Sequence, residues 1–481
     1  MITLRPYQLQ MVNDIRSRMR EGINRLVCCA PTGAGKTVVF SYIAKSAFDK
    51  GNRILIITHR GELLEQAGGT FDRIQLPHGW LTAKNKDIPN GQVIIAMVET
   101  LARRLTGKKS EEFKKWVEKF DIVIVDEVHL QNHDKCYQYF NPKTIILGFT
   151  ATPYRSGKMS PLSKHFNEIV ESIDIPTLIS DKYLSTPEYY GVPTDLKGVK
   201  KIGGEFSEHD LEKKYADSKT FAGLKVNYER LFKGRKTIIF CPTILTAHFV
   251  QNELYKFAVE PIFLVHGELS QSFREKQLEN FANSYPAIII NVGVLTTGYD
   301  CPTIDTVILY RATTSMPLYL QMIGRASRVT QEKQNFNVLD FGQNVQRHDY
   351  WHSYRTWSLD IDKKPSKEGV APIKNCPKCD ALIPASSKEC PKCRFVYPVK
   401  KQSKKDSEVV LQKLGDVVKN DKLDWIANLE EERVERGYKI GWLLHKLHTT
   451  DDFQRYGKLM NYHRLWYTHV APRYVKNLTH K

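Results

Sequence analysis

Ten short runs of β-branched and aliphatic residues restrict the folds open to this chain more than any other feature. "RLVCCA", "RILIIT", "QVIIAM", "DIVIVDE" and "TIILGFT" lie in the first 150 residues; "KTIIFC", "PIFLVH", "AIIINVGV", "TVILY" and "FNVLDF" lie between 236 and 341. A strand with one wet face alternates apolar and polar side chains. An unbroken apolar run has to be covered on both faces, the condition of a parallel sheet flanked by helices. The expected fold class is therefore α/β, with two parallel-sheet lobes in tandem.

At 481 residues the chain exceeds one ordinary core. The pattern divides it into a first lobe at 1–155, a connection at 156–234 rich in charge and tyrosine, and a second lobe at 235–362. A cysteine module at 372–398 follows between the linkers "DKKPSKEGVAP" and "PVKKQSKKDS", and a helical region fills 406–481. Hydrophobic residues make up 41%, which excludes a disordered chain. Seventy-one Lys and Arg against 53 Asp and Glu leave +18, so a polyanion is the expected partner: nucleic acid or an anionic membrane surface. No apolar run approaches the roughly 18 residues of a spanning helix, and the start carries no leader pattern. A soluble, unexported protein without a membrane partner is expected.

Strand, glycine-rich turn and helix follow one another in "CCAPTGAGKT", residues 28–37. Gly33 and Gly35 let backbone N–H groups turn inward, Lys36 reaches outer phosphates, and Thr37 offers its hydroxyl to Mg²⁺. Ala30 stands where the eight-residue pattern asks for a first glycine; at a strand end a small residue only has to avoid crowding. About ninety residues on, "DIVIVDEVH" ends a strand in two carboxylates. Asp126 is the candidate Mg²⁺ ligand and Glu127 the group that orients or deprotonates water.

In order, these motifs resemble those of the superfamily 2 helicases and translocases, the DExH group, over nearly all of Leu4 to Phe341. The resemblance implies RecA-like lobes and an ATP site to which Thr32, Gly33, Ala34, Gly35, Lys36 and Thr37 belong. "LRPYQ" is similar to the adenine-side element, implying roles for Arg5, Tyr7 and Gln8. "THRGELLEQ" resembles motif Ia and "DEVH" motif II, where Val128 is less usual than Ala or Cys. His129, with Thr150 and Thr152 of "TATP", is implied in coupling. "NVGVLTTGYDCP" resembles motif V, implying nucleotide contacts for Gly298 and Asp300. "QMIGRASR" resembles motif VI, which makes Gln321, Arg325 and Arg328 nucleotide-facing, the arginines reaching across a closing cleft. Candidate nucleic-acid contacts are Arg60, Thr100, Thr243, His266 and Thr296, in loops after strands. A threonine there also serves as an ordinary cap or turn residue. Arg325 and Arg328 at this spacing are read on one helix.

"NVGVLTTGYD", "LDFGQN" and the cysteine pairs are similar to bacterial RadD-like and phage-encoded DNA helicases. That likeness implies work on DNA in replication, recombination or repair, in a bacterial or phage-infected host cytoplasm. An RNA or duplex translocase that never separates strands is one alternative, a non-catalytic nucleic-acid scaffold another. Cys376, Cys379, Cys390 and Cys393 form two CxxC turns, enough for a closed tetrahedral S₄ site that favours structural Zn²⁺, with iron as a lesser alternative. Cys28, Cys29, Cys241 and Cys301 read as small buried side chains. The ribbon or the C-terminal region is a candidate surface for a replication or recombination partner. Phe453 to Lys481 carries six Lys or Arg, six aromatics and no Asp or Glu. Those aromatics suit base stacking, or Leu459, Leu465, Trp466 and Val470 form a packed helix face; both readings stand.

Overall fold

The computed structural model describes residues 2–59, 61–84, 87–107, 109–155, 159–191, 201–202, 205–207, 210, 224–296 and 298–360. Beyond these it describes strands at 373–375, 382–384 and 412–413, a helix at 440–444 and isolated positions up to Tyr456. All ten apolar runs are strands. In the first lobe β1 (Arg25–Cys29), β2 (Ile54–Thr58), β3 (Gly79–Leu81), β4 (Val93–Met97), β5 (Ile122–Asp126), β6 (Ile145–Thr150) and β7 (Glu168–Glu171) form one parallel sheet in the order β3-β4-β2-β5-β6-β1-β7. β2 and β5 are buried at every position, as their unbroken apolar sequences require.

The first core packs Leu55, Ile57, Ile94, Val123 and Val125 against Phe113, Trp116 and Phe120 of the segment around α5 (Ser110–Val117). α1 (Pro6–Arg20), α2 (Lys36–Phe48), α3 (Gly61–Arg73) and α4 (Val98–Thr106) complete the lobe, and α6 (Ile175–Ser180) follows β7.

The second sheet has the order β12-β13-β11-β14-β15-β8-β18. It comprises β8 (Thr186–Gly191), β11 (Lys236–Phe240), β12 (Ile262–His266), β13 (Ala287–Val292), β14 (Thr306–Leu309), β15 (Asn335–Asp340) and β18 (Gln412–Lys413), parallel except for β18. α7 (Ile244–Leu254), α8 (Gln271–Asn283) and α9 (Met316–Gly324) lie on its connections. The expected connection at 156–234 is shared by both sheets. β7 joins the first beyond residue 155, and β8 joins the second well before residue 235. β7 is a short edge strand, and β8 alternates buried with less buried side chains, so neither produces a continuous apolar run.

"LDFGQN" closes β15 with a tied turn. Buried Asp340 accepts from the backbone N–H of Gly342 and Val345 and from Asn344 Nδ2 at 2.8–3.0 Å. Asn344 Nδ2 also donates to the Arg311 carbonyl at 2.8 Å. β9 (Lys201–Ile202) pairs with β10 (Glu205–Phe206), and β16 (Ile373–Asn375) with β17 (Leu382–Pro384), each antiparallel.

Cys376, Cys379, Cys390 and Cys393 lie outside the described residues, as does most of 406–481. The chain divides into two units, Met1–Lys413 and Leu414–Lys481. In the second, Leu443, Leu444, Leu447, Phe453 and Tyr456 are buried, and Tyr456 donates to Glu430 at 2.9 Å. Phe453 and Tyr456 are thus core side chains; the remaining tail aromatics and the packed face expected from Leu459 onward lie outside the described residues.

A Cβ at Gly342 would stand 2.2 Å from the Arg311 carbonyl oxygen, whereas one at Gly267 would meet nothing within 4 Å. Gly342→Ala is expected to lower unfolding free energy by about 1–3 kcal/mol in urea titration, with Gly267→Ala as the silent control.

Candidate functional site

Apolar strands accept charge only at their ends, and the carboxyl edge of the first sheet collects it. β5, β6 and β1 are neighbours, with Asp126 level with Phe149 and Cys29 level with Thr150. From Cys29 the chain enters the phosphate-type loop, where Gly33 (φ +92°) and Gly35 (φ +79°) take the left-handed conformation and Gly35 caps α2. The loop's N–H groups and the α2 N-terminus form an anion cradle. Lys36, the first residue of α2, folds back so that Nζ donates to the Ala30 carbonyl at 3.4 Å. Thr37 follows it in the first turn of α2.

Residues of "LRPYQ" brace this loop. Gln8 Nε2 and Tyr7 Oη donate to the Ala34 carbonyl at 3.0 and 3.1 Å. Gln8 Oε1 accepts from the Arg5 backbone N–H at 3.0 Å, which fixes the start of α1. Burial pushes the Tyr7 phenol above its ordinary pKa.

Asp126 and Glu127 are both buried. Burial and the adjacent Glu127 charge push Asp126 up. Burial also acts to raise Glu127, but the His129 hydrogen bond and the Lys36 charge hold it down. Glu127 has φ +51°, a turn that aims its carboxylate at His129, whose Nδ1 lies 3.3 Å from Oε2. The same Nδ1 is 2.8 Å from Thr150 Oγ1, which accepts from the Thr152 N–H at 3.0 Å. One continuous chain of contacts therefore joins "DEVH" to "TATP". A pair of buried carboxylates beside a glycine cradle and a lysine fits a nucleotide phosphate with Mg²⁺.

Arg155 was not legible as a site residue; its only sequence signal is a position two residues beyond "TATP". Its buried guanidinium donates to the carbonyls of Val128, His129, Leu130 and Ser160 at 2.9–3.1 Å and to both Asp134 oxygens at 2.9 Å. It pins the turn that carries Glu127 and His129. Val128 has its own accommodation: a Cβ at Gly148 of β6 would fall 2.6–3.0 Å from the Val128 side chain. A glycine opposite makes room for the larger residue in "DEVH".

The second lobe meets this loop directly. A Cβ at Gly324 would come within 2.7 Å of Thr32, and one at Gly33 within 3.1 Å of Arg328 Nη1 and 3.2 Å of Ser327 Oγ. Among the described residues, buried Gln321 finds no hydrogen-bond partner for Nε2. Arg325 and Arg328 do not share a helix: α9 ends at Gly324, Arg325 is its cap, and Arg328 lies in an antiparallel bridge with Leu184. Gly324, the last helical residue, lies so close to Thr32 that only a residue without a Cβ fits there. Arg325 donates to the Tyr299 carbonyl, and Arg328 pairs with Asp300 at 3.1 Å, which ties motif VI to motif V beside Gly298 (φ +80°).

Thr243, His266 and Thr296 follow or end β11, β12 and β13, three adjacent strands, at one carboxyl edge. Their side chains are largely committed inward. Thr243 caps α7 by accepting from the Thr246 N–H at 3.1 Å, Thr296 donates to the Gly293 carbonyl at 3.3 Å, and His266 is 7% exposed. Thr100 lies in the first turn of α4, and Arg60 lies outside the described residues. Cys28, Cys29, Cys136, Cys241 and Cys301 are all buried and unpaired with one another. Among the described residues no group of His, Cys, Asp and Glu could hold a metal through three side chains, and no helix is long and apolar enough to cross a membrane.

Residues 1–155 match the family "Type III restriction enzyme, res subunit", and residues 224–330 match "Helicase conserved C-terminal domain". The chain is 27% identical to the "51.5 kDa protein" of Lactococcus phage (isolate 7-9), over 75% of each. It is 29% identical to "Putative ATP-dependent helicase IRC3" of Saccharomyces cerevisiae, over 70% of this chain and 51% of that one, so it spans about half the yeast protein. A solved fragment of a "putative HsdR subunit of a type I restriction enzyme" from Vibrio vulnificus YJ016 shares the fold, with TM-score 0.57, 22% identity, and 75% of this chain and 67% of that one covered.

Three substitutions test how the turn that carries Glu127 and His129 is held. Gly148→Ala is expected to lower unfolding free energy by about 1–3 kcal/mol, and Val128→Ala in the same chain to return most of it in a double-mutant cycle. Arg155→Met takes the bidentate partner from half-buried Asp134, which keeps His165 Nε2 at 3.6 Å, and strips four backbone carbonyls of their donor; it is expected to cost about 1–3 kcal/mol, read by denaturant titration.

Proposed function

We propose that the chain is an ATP-dependent nucleic-acid motor of the superfamily 2 helicase kind, as the two matched domains and the phage and yeast relatives support, and that it works on DNA, in replication, recombination or repair. The observation that carries the site reading is the approach of Thr32 and Gly33 to Gly324, Ser327 and Arg328 across the lobes. Phosphates cradled at Gly33 to Thr37 would meet the Arg325 and Arg328 charges only when the lobes are together, so closure and hydrolysis become one event.

In this reading Lys36 and the loop N–H groups hold the phosphates, and Thr37 and Asp126 would hold Mg²⁺. The metal would supply charge neutralisation at the phosphates. Glu127, held ionised by His129 and Lys36, takes the proton of the attacking water. His129 then reports through Thr150 to Thr152. Arg328 has to exchange Asp300 for a phosphate oxygen, and Gln321 Nε2 supplies a donor for the nucleotide.

DNA as the track is supported by the +18 charge and by the phage and restriction relatives. The likeness to restriction subunits favours a second reading, translocation along duplex DNA without strand separation. Thr100, Thr243, His266 and Thr296 would bring backbone contacts at the two carboxyl edges, with Arg60. Cys376, Cys379, Cys390 and Cys393 are proposed to hold structural Zn²⁺. In sequence the first CxxC pair lies between the antiparallel strands β16 and β17, the arrangement of a ribbon. That module or the C-terminal region would carry a protein partner.

Glu127→Gln and Lys36→Ala are expected to lower hydrolysis by about 10²–10⁴ without loss of fold. A Glu127→Gln protein turning over ATP at the parental rate would remove the catalytic assignment. Hydrolysis across forks, tailed duplex, plain duplex and RNA at one stated salt concentration identifies the track, and strand displacement separates unwinding from translocation.

A further inference from the structure

Three consecutive residues touch three parts of the nucleotide site at once. Tyr183, Leu184 and Ser185 run between α6 and β8, where the chain passes from the first sheet to the second. The half-buried Tyr183 ring lies under the Arg5 guanidinium, 4.6 Å from carbon to ring centroid, and meets Tyr7 edge-on at 5.2 Å. Leu184 comes within 2.7 Å of where a Gly33 Cβ would be, and its backbone bridges Arg328. Buried Ser185 donates Oγ to the Arg328 carbonyl at 2.9 Å and its N–H to the Ser327 carbonyl at 2.8 Å. Adenine-side element, phosphate loop and arginine therefore share one strut.

We propose that Tyr183 forms one face of the nucleobase pocket and that Leu184 and Ser185 carry base occupancy to Arg328. This rests on the nucleotide-site reading above. Tyr7 and Gln8 are anchored to Ala34, so they cannot yield to a ligand without releasing the loop. Arg5 is exposed; its guanidinium donates to Tyr7 Oη at 3.2 Å and has to lift off the Tyr183 ring to admit a base. A purine offers the same π face as the tyrosine ring, so on inserting between guanidinium and phenol it replaces the Arg5–Tyr183 contact with a stack on Tyr183 and a cation–π contact to Arg5. Adjacent Cα atoms are about 3.8 Å apart, so a shift of Tyr183 is felt at once by Leu184 and by the bridge to Arg328. The ligand class is a purine nucleoside triphosphate. Ser185 is a positioning residue for Arg328.

The test displaces N-methylanthraniloyl-ATP from the full chain with ATP or inorganic tripolyphosphate. The parent is expected to bind ATP about tenfold or more tightly than tripolyphosphate, the order of one stacking contact. Tyr183→Ala should erase that margin and leave tripolyphosphate affinity unchanged, while Tyr183→Phe keeps it. Ser185→Ala should leave the ATP Kd unchanged but lower kcat about tenfold, the weight of one hydrogen bond realised in the transition state. Tyr183→Ala retaining the ATP margin overturns the base contact, and Ser185→Ala with parental kcat overturns the transmission. A parent that binds neither competitor sinks the nucleotide-site reading and the proposal with it, whereas a parent that binds both equally overturns the proposal alone.

Discussion

Burial of both faces of the central parallel strands is the constraint on which the rest depends. β2, β5 and β11 are buried at every position, and β1, β6 and β13 come close to that state. Charge cannot sit along such strands, so it gathers where they stop. Asp126 is the last residue of β5, Thr150 the last of β6, and the phosphate-type loop begins as β1 ends. The site is thus a consequence of where apolar sequence runs out.

Holding charges there needs supports that are themselves polar. Arg155 satisfies four carbonyls and a carboxylate around "DEVH". In the second lobe buried Lys333 plays an equivalent part, donating to the carbonyls of Pro302, Ile304 and Ala326 at 2.7–2.9 Å, between motifs V and VI. Burial pushes Lys333 down to about 8. Each cation replaces water that the backbone turns would otherwise need.

The central strands and the ordered motifs were legible because each is local: an apolar run, a glycine spacing, a carboxylate pair. β7 and β8 were not, since strands at or near a sheet edge need not be apolar on both faces and blend into a polar connection. The departure of Arg328 from the α9 helix was hidden for another reason. Its surroundings there, Thr32 beside Gly324 and the bridge to Leu184, are hundreds of residues or one whole lobe away in sequence. Arg155 looks like any surface arginine until the turn it fills is folded. The inward commitments of Thr243 and Thr296 likewise follow from caps and turns that spacing alone does not reveal.

The contact between Val128 and Gly148 makes two positions into one packing unit. A smaller residue at 128 leaves room for a Cβ opposite, whereas with valine there a side chain at 148 has to push it aside. Since Val128 stands between Glu127 and His129 in the turn after β5, the size of a side chain in the middle of β6 sets how that turn sits, and a strand that touches no ligand has a say in where the carboxylate points.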